Sequence, residues 1–195
     1  FHHGATDRMT RLDPFGGPGS LGTLTDLGPH DFGWFADEGV SVLYDEGKIL
    51  VAGGSVSTSN DTAVAGAHTI DINGPGPVVT RVADMNFPRQ FQNEVMLPTG
   101  EVLVIGGNTS GVKFTDNHAV RNAESWNPAT NTWTLLNAQN QARAYHSTAV
   151  LLTDGTVLSA GGGLGGNSCA NPEGPGECQN DHWNAERYSP RYLFA

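Results

Sequence analysis

The stretch Val40-Ser41-Val42-Leu43-Tyr44-Asp45-Glu46-Gly47-Lys48-Ile49-Leu50-Val51-Ala52-Gly53-Gly54 decides the fold, because the chain repeats it. A second copy runs Glu94-Val95-Met96-Leu97-Pro98-Thr99-Gly100-Glu101-Val102-Leu103-Val104-Ile105-Gly106-Gly107. A third runs Ala149-Val150-Leu151-Leu152-Thr153-Asp154-Gly155-Thr156-Val157-Leu158-Ser159-Ala160-Gly161-Gly162. The first glycine of each pair falls at 53, 106 and 161, a period of 53 to 55 residues. Internal similarity at such a period marks a repeat architecture. Each copy reads as strand, tight turn, strand and glycine pair. Glu46-Gly47, Thr99-Gly100 and Asp154-Gly155 are hairpin turns, with glycine supplying the positive φ. Short apolar runs on both sides of the turn suit strands buried on both faces. The glycine pair lets neighbouring backbone come close.

A variable loop and a third strand follow. Asn122-Ala123-Glu124-Ser125-Trp126-Asn127-Pro128 and Asn184-Ala185-Glu186-Arg187-Tyr188-Ser189-Pro190 match each other. Ala67-His68-Thr69-Ile70-Asp71-Ile72 is a weaker version in the first copy. Outer strands are expected after Asn131 and at Val78-Val79-Thr80-Arg81-Val82. Four strands per period, with a glycine pair and a later aromatic, predict an all-β kelch-type β-propeller. The blades are expected at about residues 31–85, 86–140 and 141–195. Residues 1–30 are read as the end of a preceding blade or a linker. Propellers close with roughly 4–8 blades, so three to four blades predict an incomplete ring.

Composition narrows the function. Lys+Arg 10 against Asp+Glu 20 gives a net charge of −10, which disfavours nucleic acid and anionic membrane as partners. No apolar run reaches the roughly 20 residues of a membrane helix. The chain opens at Phe1 without a leader pattern and closes on the apolar Tyr192-Leu193-Phe194-Ala195. Both ends read as cuts from something longer. Cys169 and Cys178 lie in a loop rich in Gly, Asn and Pro. They read as a local disulfide and an extracellular setting, against two free thiols or a metal pair. His2 and His3 are expected to be exposed, and His30, His68, His118 and His182 to be scattered. Trp126, Trp133 and Trp183 are expected to pack between blades.

The third copy departs from the second at its start. Arg89-Gln90-Phe91-Gln92 is followed by Gly100 eleven residues after the arginine. Arg143-Ala144-Tyr145-His146 is followed by Gly155 twelve after it. One extra residue in a paired strand predicts a β-bulge, which can re-aim side chains. It falls beside Tyr145-His146, whose phenol and imidazole would point to opposite faces of a regular strand. A bulge would allow shared metal ligation, and imidazole with oxygen donors suits Cu(II). The alternative is the structural Arg-x-x-His pair common in kelch blades.

The stretch from Arg143 to Gly155, the run Gly161-Gly162-Gly163-Leu164-Gly165-Gly166 and the closing Asn184 to Phe194 resemble the galactose oxidase and glyoxal oxidase family of copper radical oxidases. So do Val42 to Ser55 and Val95 to Gly100, and the resemblance covers most of residues 35–195. It implies a seven-bladed propeller followed by a C-terminal β-sandwich domain. It also implies one copper ion near the axis, held by two tyrosines and two histidines, one tyrosine being cross-linked to a cysteine and carrying a radical. The implied reaction oxidises a primary alcohol, aldehyde or sugar and reduces O2 to H2O2.

Residue by residue, the resemblance makes Tyr145 an axial copper ligand and the catalytic proton acceptor, and His146 an imidazole ligand. The radical tyrosine and its cysteine would precede Phe1, and the other histidine would follow Ala195. This chain alone is then expected to be inactive. Phe114 resembles a substrate-pocket aromatic, and Ser59 sits near a polar pocket residue. The family has a close cysteine pair in the loop of Cys169 and Cys178. No arginine stands between His30 and Asp37, where galactose oxidase contacts its sugar, which argues against galactose. Gln92 stands where many members have histidine. The competing reading is a non-catalytic extracellular propeller that binds carbohydrate or protein, or builds an assembly.

Overall fold

The computed structural model describes residues 1–3, 7–30, 34, 36–57, 62–163 and 181–194. They form four antiparallel sheets and two single-turn 3-10 helices, at Pro18–Ser20 and Arg191–Phe194. The first sheet holds β1 (His2–His3), β2 (Arg8–Asp13) and β3 (Thr23–Pro29). The second holds β4 (Val40–Asp45), β5 (Lys48–Ala52), β6 (Ala67–Asp71) and β7 (Val78–Arg81), in that order. The third repeats it with β8 (Gln90–Met96), β9 (Val102–Asn108), β10 (Asn122–Asn127) and β11 (Thr132–Ala138). The fourth has β12 (Ser147–Leu151), β13 (Val157–Gly161) and β14 (Ala185–Tyr188). The repeated hairpins are the inner strand pairs of successive propeller blades.

Successive sheets are joined by three apolar layers, and the period-2 alternation of each strand explains them. Leu50 and Ala52 face one layer with Val102, Val104, Met85 and Trp126. Val51 faces the opposite way, into a layer with Met9, Trp34 and Ile70. Leu103 and Ile105, next to Val102 and Val104, pack with Val95, Leu97, Ala123 and Val157. This two-sided burial is why the second strands read as unbroken apolar runs. Full burial of each such aliphatic side chain stabilises the fold by roughly 1.5–3 kcal/mol.

The glycine pairs are where one blade meets the next. Gly54 N–H donates to the Arg89 carbonyl at 2.8 Å, and Gly107 N–H to that of Arg143 at 2.7 Å. Gly53 has φ 69, and a Cβ there would stand 2.6 Å from the Arg89 oxygen. Gln92 also joins blades, since its Nε2 donates across the boundary to the Ala52 carbonyl at 2.9 Å.

Under the inner strands β8 and β12 lies an arginine anchor. Arg89, fully buried, donates to the carbonyls of Gly106 and Asn122 and to Glu124 Oε1 at 2.6 Å. Glu124 also accepts the backbone N–H groups of Asn86 and Phe87. In the fourth sheet Arg143 donates to the Gly161 carbonyl and to Asn184 Oδ1. Glu186 there accepts the N–H groups of Asn140 and Gln141. The matching third strands thus share a structural role.

Candidate functional site

The extra residue of the third repeat makes no bulge. The pairing of β12 with β13 runs unbroken from Ser147↔Gly161 to Leu151↔Val157. The added length is taken up before the strand, in a tight turn of residues 144–147. Ser147 N–H donates to the Ala144 carbonyl at 2.9 Å, and His146 sits at φ 67. A positive φ in the third position of such a turn is a place glycine usually fills. The turn, rather than a bulge, releases Tyr145 and His146 from strand alternation. Their rings lie together, with centroids 4.2 Å apart and planes 30° from parallel.

His146 Nδ1 is 2.9 Å from the Gly163 carbonyl. A carbonyl only accepts, so Nδ1 carries the hydrogen, and in the neutral ring Nε2 then keeps its lone pair. That is the arrangement a metal-binding imidazole uses, with the second nitrogen tied to a backbone oxygen. Tyr145 is half-buried and His146 exposed. Gly163 N–H donates back to the Tyr145 carbonyl at 3.1 Å, so the turn and the 161–163 ledge grip each other.

Aromatic rings wall the pair. Phe114, from the segment between β9 and β10, meets Tyr145 edge-on at 5.0 Å and His146 at 5.5 Å. Phe91 meets Tyr145 edge-on at 5.2 Å. Glu38, Phe91 and His146 have φ 55, 61 and 67 and each directly precedes the same register point of its inner strand. Lys113 places Nζ 4.9 Å from the Tyr145 ring centre and bonds Glu38 Oε1 at 2.8 Å. The Glu38 carboxylate holds the lysine above its ordinary range. Sequence reading missed Lys113, Glu38 and Phe91. The signal for Glu38 and Phe91 was positional, the αL residue at the start of successive inner strands, and it shows only once the strands are in register; Lys113 carried no such signal.

Among the described residues no group of three or more His, Cys, Asp or Glu is arranged to hold a metal. Ser59, Cys169 and Cys178 lie outside the described residues. The histidines are less scattered than their spacing suggested. His3, half-buried, meets His30 edge-on at 5.6 Å, and His30 stacks on His68 at 5.1 Å. Burial, and then neighbouring His30, lowers His68 to about 3 and His3 to about 4. His182 bonds Asp116. Trp126 and Trp133 pack between blades as expected. Trp183 is 85% exposed, because no further sheet among the described residues covers its side of β14.

The family described as glyoxal oxidase N-terminus matches residues 41–192. Galactose oxidase of Gibberella zeae is 35% identical over 161 residues, covering 80% of this chain and 22% of that protein. Aldehyde oxidase GLOX of Vitis pseudoreticulata is 33% identical over 180 residues, covering 78% of this chain and 30% of that protein. This chain therefore spans less than a third of the length of these relatives. A solved fungal alcohol oxidase of the AA5 family, in complex with copper, superposes with a TM-score of 0.85 at 30% identity. That match covers 98% of this chain and 38% of the solved one. No helix among the described residues is long and apolar enough to cross a membrane.

Proposed function

Since the chain belongs to the glyoxal oxidase family, we propose that it carries Tyr145 and His146 as two ligands of a copper ion in an extracellular alcohol or aldehyde oxidase. The observation that supports this most is the turn 144–147, which sets phenol beside imidazole while the Gly163 carbonyl turns the Nε2 lone pair outward. Imidazole nitrogen and phenolate oxygen form a donor set suited to Cu(II). Two donors do not fill a tetragonal shell. The remaining ligands would come from other blades and a C-terminal β-sandwich domain of the whole protein.

Bound copper would supply one-electron redox chemistry and a Lewis-acid contact. The chain's own residues do the rest. His146 would hold the ion through Nε2, its Nδ1–H being tied to the Gly163 carbonyl. Tyr145 takes the hydroxyl proton of the substrate on its phenolate oxygen, as a general base must from within hydrogen-bond reach. Phe114 and Phe91 wall the Tyr145 ring. The overall conversion is RCH2OH + O2 → RCHO + H2O2, or the matching oxidation of a hydrated aldehyde to an acid. The substrate class is small alcohols and aldehydes. The lack of arginine between His30 and Asp37 argues against galactose. The proposal extends to Phe114 at the substrate side and to blades at about residues 31–85, 86–140 and 141–195, while the roles expected of Ser59, Cys169 and Cys178 fall outside the described residues.

The test is peroxide release by the copper-loaded full-length protein on a panel of small primary alcohols, aldehydes and sugars. Turnover of an alcohol or aldehyde that is lost in Tyr145→Phe is the expected result. A folded, copper-loaded protein that makes no peroxide but binds glycan or protein would replace this reading with the binding-module one.

A further inference from the structure

We infer that Asp116 and His182 are positioning residues for the Tyr145–His146 turn, forming a hydrogen-bonded latch between two loops of adjacent blades. The inference rests on the copper reading above. Asp116 follows Phe114 by two residues in the segment between β9 and β10. His182 lies three residues ahead of β14. Both oxygens of Asp116 are 3.0 Å from His182 Nε2. On the other side of the ring, Gln141 Nε2 is 2.7 Å from His182 Nδ1. An amide nitrogen only donates, so Nδ1 accepts and Nε2–H is given to the carboxylate. One neutral tautomer satisfies all three groups. The His182 side chain is 8% exposed, so its hydrogen bonds face little competition from water.

The latch reaches the turn by two routes. The first is backbone. His182 N–H donates to the Gly162 carbonyl at 3.3 Å. The next residue, Gly163, donates to the Tyr145 carbonyl and accepts from His146 Nδ1. The ledge that sets the His146 tautomer is therefore itself held by His182. The second route is the aromatic wall. Fixing Asp116 fixes the short segment that places Phe114 on edge to both rings. Asp116, His182, Phe114, Ala144, Tyr145 and Gly163 line one narrow crevice, with room for about one water. Among the described residues Asp116 and His182 do not group with His146 into a metal site. They act through the ledge and the wall. Partners of this kind that orient metal ligands typically govern 10–100-fold in metal affinity.

The experiment measures Cu(II) affinity by chelator competition, and the Cu(II) EPR spectrum, in the full-length protein and its variants. Melting temperature is followed in parallel. Asp116→Ala and His182→Ala are expected to weaken copper about 10–100-fold and to change the EPR hyperfine pattern. The double variant should be no worse than either single one, because the two act as a unit. Asp116→Asn keeps an acceptor for Nε2–H and should restore wild-type affinity and spectrum. It is also the variant to read if an alanine variant does not fold. Alanine variants with wild-type affinity and spectrum would overturn the latch, as would an Asp116→Asn protein that folds normally but binds copper no better than Asp116→Ala. A wild-type protein that takes up no copper would instead overturn the copper reading beneath it.

Discussion

Two turns in this molecule share a backbone and differ in chemistry. Residues 36–39 and 144–147 both close with an N–H to carbonyl bond, at 3.0 and 2.9 Å. Both put a left-handed residue third, Glu38 at φ 55 and His146 at φ 67. Both deliver the chain to the same register point: Ser147 stands opposite Gly161, and Val40, just after Gly39, stands opposite Ala52, just before Gly53. The first turn presents Asp37 and Glu38, and the second presents Tyr145 and His146. Burial, and then Glu38, raises Asp37 above the ordinary carboxylate range, and Glu38 is spent on Lys113. The blade scaffold provides the geometry twice, and residue type decides which copy carries the imidazole and phenol proposed as copper ligands. Between them β8 opens directly from Arg89, one residue shorter, with Phe91 and Gln92 used for packing and blade joining.

The anchors beneath the strands extend the comparison. Three third-strand positions are equivalent: His68 opposite Val51, Glu124 opposite Val104, and Glu186 opposite Ser159. Arg89 and Glu124 are fully buried and 2.6 Å apart, whereas Arg143 and Glu186 are 3.9 Å apart with Glu186 18% exposed. Removing one partner of a buried pair leaves an uncompensated charge, so Glu124→Ala should cost about 3–5 kcal/mol. Glu186→Ala should cost about 1–2 kcal/mol, mostly for two backbone N–H groups left to water. Urea unfolding of both variants measures the difference. Equal costs would break the claim that the two anchors differ.

The first blade replaces the ion pair with His68, and acid should find it. The folded-state pKa of His68 is lowered to about 3 and that of His3 to about 4, from an ordinary 6.5. A lowered folded pKa means that the unfolded chain takes up protons first. Stability is therefore whole above about pH 6.5 and falls as pH drops toward 4 and 3. His68→Gln should flatten that fall. Hydrogen exchange in acid should rise first near residues 36–39, and later near 144–147. The same acid sensitivity in wild type and His68→Gln would show that the cluster does not govern it.

Much of the fold was legible because it is periodic. Glycine pairs, Gly-bearing hairpin turns and two-sided apolar strands are local signals that repeat, and each maps onto a sheet in the structure. The arginine anchors were half-legible: the Asn-Ala-Glu repeats stood out, but their partnership with Arg89 and Arg143 is a contact between distant strands. At the site, the odd residue beside Tyr145-His146 was visible as a length difference, but spacing alone could not separate a bulge from a turn. The Glu38–Lys113 and Asp116–His182 pairs were invisible because blade packing joins residues far apart in the chain.

The central claim is that the turn 144–147 holds two copper ligands. Its most direct test is a Cu(II) titration of the full-length protein followed by EPR, with Tyr145→Phe and His146→Ala alongside. The account predicts one tight equivalent with a tetragonal spectrum in the wild type. It predicts that nitrogen coupling from one imidazole disappears in His146→Ala and that the spectrum shifts in Tyr145→Phe. Unchanged affinity and spectrum in both variants would contradict it.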